Sequence, residues 1–183
     1  MSSLPVDAFG ATRTVELSLP EELPYQLIYR MRREQPFAVA EPAGVEFRYA
    51  TSLVQFAGLA GALRRRVSAP ELLRAALRIA AGRRFYCVLR QGRILHHGWA
   101  NVAFCRHYKV GPGEVVIGPI WSAPESRGMG LATYATQSAI NRLIAEGLTV
   151  FYIDTSNENL ACQAMIAKCG FGAAMGCTPR RPD

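Results

Sequence analysis

The sequence predicts one α/β (α+β) domain, in which an antiparallel meander and a pair of parallel strands share a mixed sheet. Three observations carry this. The apolar run Val115 to Trp121 ends in a glycine-bearing loop that opens a helix, Leu131 to Ala145, and a wholly apolar strand, Leu148 to Ile153, follows. Strand, helix, strand in that order joins parallel neighbours. Upstream, Phe85 to Leu89 and Ile94 to Phe104 flank Gln91-Gly92, which reads as a hairpin. The length, 183 residues, suits one domain with a real core.

Composition narrows the class. Half the residues are hydrophobic and 19% are charged, as in a folded globular chain. No apolar run approaches the ~20 residues of a membrane span, and Met1 to Gly10 lacks the basic start and apolar core of a signal peptide. A cytoplasmic location is therefore expected, with no integral membrane segment. The five cysteines form no C-x-x-C pair, so neither a disulfide framework nor a metal site is indicated. The net charge is +7 and it is concentrated. Between Arg64 and Lys109 the acid Glu71 stands alone among arginines, which include Arg74, Arg78, Arg83 and Arg106. Such a field draws anionic ligands, yet no recognition helix or aromatic–basic interleaving points to nucleic acid.

Taken in order, Thr14 to Leu19 reads as a strand, Glu21 to Glu34 as a helix and Val45 to Tyr49 as a short strand. Ser52 to Leu63 reads as a core helix ending in Arg64-Arg65-Arg66, with a membrane-interface segment or an acyl-chain pocket as alternatives. Ser68 to Gly82 is the best-marked helix: Ser68 and Glu71 have capping-box spacing, Pro70 lies in the first turn, and Gly82 follows the last. Its Leu72, Leu73, Ala76, Leu77, Ile79 and Ala80 would face inward and leave Arg74 and Arg78 opposite. Gly111-Pro112-Gly113 reads as a second hairpin turn, and Gly147 as the stop of the helix after the loop.

The loop itself, Pro124 to Ala132, carries chemistry. Pro124 has no N–H to continue a strand. Gly128 and Gly130 tolerate positive φ and leave the main chain bare. Helix N-termini present unpaired N–H groups and a positive dipole end, so the stretch is an anion site suited to a pyrophosphate.

With Arg127, Gly128, Gly130 and Ala132 in place after a strand that meets Pro124, the stretch resembles the GNAT acyltransferase superfamily signature, Arg/Gln-x-x-Gly-x-Gly/Ala. A second motif, Asn157 to Phe171, is similar to the family pattern N-x-x-A-x-x-x-Y-x-K-x-G-F, with Asn159, Lys168, Gly170 and Phe171 in register. Ile94-Leu95-His96-His97-Gly98 matches the start of a central family strand. The resemblance implies the GNAT fold, about six strands flanked by about four helices, with the parallel pair splayed apart to admit a pantetheine arm. It implies a single domain over residues 1–183, with 85–171 as the acyl-CoA-binding core and 1–50 as a variable acceptor-side region holding the first strand and two helices.

The resemblance also assigns sites. Acetyl-CoA would lie on Ile120 and Ser122, whose backbone pairs with the arm, on Arg127, Gly128, Met129, Gly130, Leu131 and Ala132 around the diphosphate, and on Asn159. For the general base, Asp154 ends the strand before the second motif, where a carboxylate beside an apolar cleft has a raised pKa; capping of the following turn is its bland alternative. His97 is second, with an ordinary pKa near ~6.5; it and His96 point to opposite faces. Glu114 is third. Two departures stand out. The Tyr that often protonates the thiolate falls on Ile166, with Tyr134 and Tyr152 nearby but off the family position. Only a short tail follows Phe171, so the sheet is either smaller or completed by a partner in a homodimer.

The expected function is transfer of an acetyl group to a primary amine of a small molecule, by direct attack and without a metal. An amino sugar or nucleotide-linked amino sugar leads. A protein or peptide acceptor, a longer acyl chain, and a non-catalytic acyl-CoA-binding module are the alternatives.

Overall fold

The computed structural model describes residues 25–179. Along them run β1 (Tyr25–Arg32), β2 (Glu46–Ala50), α1 (Leu53–Ala57), α2 (Ala60–Arg64), α3 (Ala69–Ala80), β3 (Arg84–Arg90), β4 (Arg93–Val102), β5 (Glu114–Ser122), α4 (Leu131–Ala145), β6 (Val150–Ser156), α5 (Leu160–Lys168) and β7 (Gly176–Pro179). All seven strands share one sheet in the order β2-β3-β4-β5-β6-β1-β7, and only β5 and β6 pair in parallel.

The expected meander and crossover are both present. Gln91 and Gly92 take φ of 49° and 71°, the left-handed pair of a two-residue hairpin whose twist suits its strands. α3 opens with the Glu71 carboxylate accepting from the Ser68 N–H (2.8 Å) and hydroxyl (2.7 Å). Gly98 has a steric reason to be glycine: a Cβ there would lie 2.3 Å from the Tyr86 hydroxyl of β3. Two apolar layers flank the sheet. One packs Tyr86, Val115, Ile117, Phe151 and Ile153 against α4 and α5; the other packs Phe85, Cys87 and Trp99 under α1, α2 and α3.

Several expectations change. Tyr25–Arg32 is a strand, where a helix over 21–34 was expected; burial alternates over Tyr29 to Arg32, as in a pleated ribbon, and β6 and β7 supply partners on both edges. The expected strand over 14–19 lies outside the described residues. The helices beside the sheet's second face come at 53–80, after β2, and the described part of 1–50 holds none. Ser52 to Leu63 makes two short helices that bury Phe56, Leu59 and Leu63 and expose Leu53 and Val54. On α3 the inward face is Leu72, Ala75, Ala76 and Ile79, while Leu73 and Leu77 are 62% and 61% exposed. Ala103 to Gly113 is a long loop and not a tight turn. The tail after Phe171 forms β7, which pairs with β1, and β1 fills the place beside β6.

Candidate functional site

The parallel pairing of β5 and β6 stops at Ile117 and Ile153. Beyond it, Ile120 to Ser122 stay with β4 and Asp154 to Ser156 stay with β1, so the two strands part. Gly118, at φ 142°, and Pro119, which lacks an N–H, cannot continue a ladder. Asn101 fixes the departure by donating from Nδ2 to the carbonyls of Gly118 (2.6 Å) and Val116 (3.3 Å). Between the parted strands opens a cleft of about 570 Å³, within the range of small-ligand sites.

One wall of this cleft is bare backbone. The Ala123 N–H donates to the Leu95 carbonyl at 2.8 Å. Antiparallel alternation therefore turns the amides of Ser122 and Ile120 away from β4, toward the gap. Ile120 lines the cleft, while the Ser122 side chain is occupied with His96, Oγ to Nδ1 at 2.8 Å. Past the strand, Pro124–Ser126 makes a single 3-10 turn, anchored by the Ser126 hydroxyl on the carbonyls of Leu95 (2.9 Å) and Ala123 (2.8 Å). Gly128 and Gly130 then take φ of 77° and 73°, and Gly130 caps α4 in the left-handed region. A Cβ at either glycine would touch nothing within 4 Å, so backbone conformation requires the glycines and the loop's surface is open. The Arg127 N–H is spent on the Pro124 carbonyl (3.2 Å) and that of Met129 makes a long bond to Ser126 (3.4 Å). The amides of Gly128, Gly130, Leu131 and Ala132 have no acceptor among the described residues. Arg127 and Met129 are exposed beside them.

The opposite wall carries the titratable groups. Asp154 lines the cleft and its Oδ2 accepts from the Tyr108 hydroxyl at 3.1 Å. Burial pushes its carboxyl above the ordinary carboxylate range, against the Tyr108 hydrogen bond and the charge of His107. Tyr108 itself is pushed up, by burial first and then by the Asp154 charge, so it stays a donor. The Cys162 thiol, also in the cleft, is likewise held neutral, mainly by burial. Asn159 reaches the cleft at the start of α5, its Oδ1 accepting from the Cys162 N–H at 3.1 Å.

His97 lies elsewhere. Its ring is stacked on Trp121, with centroids 5.5 Å apart, and sits 5.7 Å from Phe85 on the face under α1, α2 and α3, and it is not a lining residue of the cleft. Burial and the Arg66 charge push it down to about 4. The two histidines do point to opposite faces, but His96 is fully buried and pushed down to about 3, so neither meets the gap. Glu114 is bound to the Gly111 N–H (2.6 Å) and the Tyr152 hydroxyl (3.3 Å) and closes the loop after β4. Tyr134 packs edge-on against Phe47, Ile166 is wholly buried, and neither they nor Tyr152 line the cleft.

Sequence reasoning missed Asn101, Tyr108 and Gln26, all tied to the cleft. Nothing in a strand asparagine or a loop tyrosine announces such a role. The available signal was the length and aromatic–basic content of Phe104 to Lys109.

An open strand edge thus runs from a glycine turn with unspent amides to a cleft between parted strands. The family model described as Acetyltransferase (GNAT) family matches residues 63–171, and the chain belongs to that family. No curated protein matches the sequence. Among solved structures, a GNAT-family acetyltransferase from Colwellia psychrerythraea aligns with a TM-score of 0.58 at 20% identity, covering 82% of this chain and 53% of that one. A tandem GNAT protein from the clavulanic acid biosynthesis pathway gives 0.60 at 17% identity over 88% and 55%. The AAC(6')-Iy enzyme, in complex with the bisubstrate analogue CoA-S-monomethyl-acetylneamine, gives 0.55 at 20% identity over 76% and 98%. This chain thus spans about half the length of the first two. Among the described residues no cluster of His, Cys, Asp and Glu could hold a metal ion, and no helix is long and apolar enough to cross a membrane.

Proposed function

We propose that the protein is an N-acetyltransferase that moves the acetyl group of acetyl-CoA to a primary amine of a small molecule, with an amino sugar or nucleotide-linked amino sugar as the leading acceptor class. The observation that carries this is the gap between β5 and β6, open beyond Ile117 and Ile153 and continuous in chain with a glycine turn whose amides are unspent. These residues fit the coenzyme. The amides of Gly128, Gly130, Leu131 and Ala132 suit the diphosphate, and the outward amides of Ile120 and Ser122 suit the arm as an added strand would. Asn159 stands at the cleft end of that path. The coenzyme supplies an acetyl thioester.

The chain's residues do the rest. Asp154, poised above the usual carboxylate range, takes the proton that the amine loses as its nitrogen bonds to the acetyl carbon and the carbon–sulfur bond breaks. Tyr108 orients that carboxylate. Holding amine and acetyl group together in the cleft contributes several kcal/mol to lowering the barrier. The departing thiolate takes its proton from solvent, since Ile166 offers none and, among the described residues, no tyrosine lines the cleft.

The test is thiol release from acetyl-CoA across a panel of primary amines, with mass spectrometry of the acetylated product. Turnover with at least one amine, lost in Asp154→Asn, is expected. Tight acetyl-CoA binding with no thiol release from any amine would instead favour a binding module. The apolar segment from Ser52 to Leu63 does not line the cleft, which disfavours its use as a long-acyl pocket.

A further inference from the structure

Arg78, at the end of α3, Arg83, just before β3, and Arg106, in the loop after β4, converge on the cleft from places distant in the chain. Among the described residues none of the three has an ion pair. Arg78 lies over Trp99, 5.5 Å from its ring centroid, and Arg83 over Phe104 at 4.5 Å. Aromatic faces hold guanidinium planes without consuming their N–H donors. Arg83 is depressed by burial and by the like charges of Arg78 and Arg106, so the fold holds mutually repelling cations close together.

The glycine turn over 127–132 contributes no lining residue to this cleft, so the arginines are separate from the amides assigned to the coenzyme's diphosphate. Asp154 is the one acid among the lining residues. Three guanidinium groups against one carboxylate leave an excess of two positive charges. A phosphate monoester, carrying about −1.5 to −2 at neutral pH, matches that excess and the planar donors of arginine. The cleft also holds two buried amide oxygens without partners, Oδ1 of Asn101 and Oε1 of Gln26. The Asn101 orientation is fixed, because its nitrogen faces two carbonyls. Carbonyl oxygens and a carboxylate suit an amine; unpaired guanidinium groups suit a phosphoryl oxygen.

We propose that Arg78, Arg83 and Arg106 form a phosphoryl subsite for the acceptor, so that the substrate is an amine bearing a phosphate or diphosphate group, its nitrogen at Asp154 and its phosphoryl group at the arginines. This rests on the acetyltransferase reading for the identity of the reaction, though not for the existence of the subsite.

The experiment compares matched pairs, ethanolamine with O-phosphoethanolamine and glucosamine with glucosamine 6-phosphate, on the full chain. It reads thiol release from acetyl-CoA and, without acetyl-CoA, calorimetric binding of each amine. The phosphorylated member of at least one pair is expected to win by about tenfold or more in kcat/KM and in affinity, as one or two charge-assisted contacts allow. In Arg106→Gln, at an exposed position, and in Arg83→Gln, the preference shrinks while the KM for acetyl-CoA holds. Preferential binding without thiol release would keep the subsite and discard the transfer reading. Equal binding of both members of each pair, or a preference untouched by both substitutions, would overturn the subsite. So would a loss that appears in the KM for acetyl-CoA and vanishes with acetyl-3'-dephospho-CoA, because the arginines would then serve the coenzyme's own phosphate.

Discussion

The two anion sites we propose for this molecule work by different means. The turn over 127–132 uses main-chain amides at a helix start, held by left-handed glycines at φ 77° and 73°. The rim of the cleft uses the side chains of Arg78, Arg83 and Arg106, carried by three separate segments. A backbone site depends on conformation, so any residue that keeps the conformation keeps the site. A side-chain site depends on identity at each position, so single substitutions can retune it. That difference suits a constant ligand at one end and a variable one at the other.

The largest expected effect sharpens this contrast at the side-chain end. Asp154→Asn should lower kcat by about 10²- to 10⁴-fold while the calorimetric Kd for acetyl-CoA stays unchanged; a matching loss of acetyl-CoA affinity would merge the two ends into one site. The pH profile belongs to the same test. Because burial raises Asp154, kcat/KM should fall on acidification at a pH above the ordinary carboxylate range. Tyr108→Phe removes a hydrogen bond that stabilises the charged form, so this acid limb should move to higher pH.

Gly130→Val tests the backbone end. A β-branched residue at φ 73° costs about 1–3 kcal/mol, so acetyl-CoA should bind roughly 5- to 150-fold more weakly if the turn yields. Binding of a phosphorylated amine at the arginine rim should persist in that variant, and its loss would show that the ends are not independent. Gly98→Ala, between the ends, should lower the unfolding free energy by about 1–3 kcal/mol, read as a denaturant midpoint shift, because its Cβ would collide with Tyr86.

Two small effects complete the series. His97→Gln should leave the pH profile between 6 and 8 unchanged, since the ring stands outside the cleft and is pushed down to about 4; a vanished basic or acid limb would restore it as the base. Leu73→Lys, on the exposed side of α3, should change stability by less than about 0.5 kcal/mol, measured by thermal melting.

How readable each part was follows the same division. Gly128, Gly130, the Ser68–Glu71 capping box and the hairpin at Gln91-Gly92 were legible because each is a local backbone requirement, satisfied by neighbours in the chain. The seven-strand order was only partly legible. Tyr25–Arg32 carries strand-like residues that a helical reading could also accommodate, and its place beside β6 is a contact more than a hundred residues away along the chain. Leu73 and Leu77 looked inward because a helix of apolar residues does not say which arc meets the sheet.

By itself, the sequence determined the meander, the crossover unit, the glycine turn and the capped helix after Ser68, because these rest on φ, on capping groups and on hydrophobic period within short windows. Only the tertiary structure decided that Asp154 meets Tyr108, that His97 is sandwiched between aromatic rings outside the gap, and that three arginines from separate segments line one cleft with a carboxylate. Those pairings depend on where β5 and β6 part and on how the loop after β4 folds over them, and no residue encodes that alone.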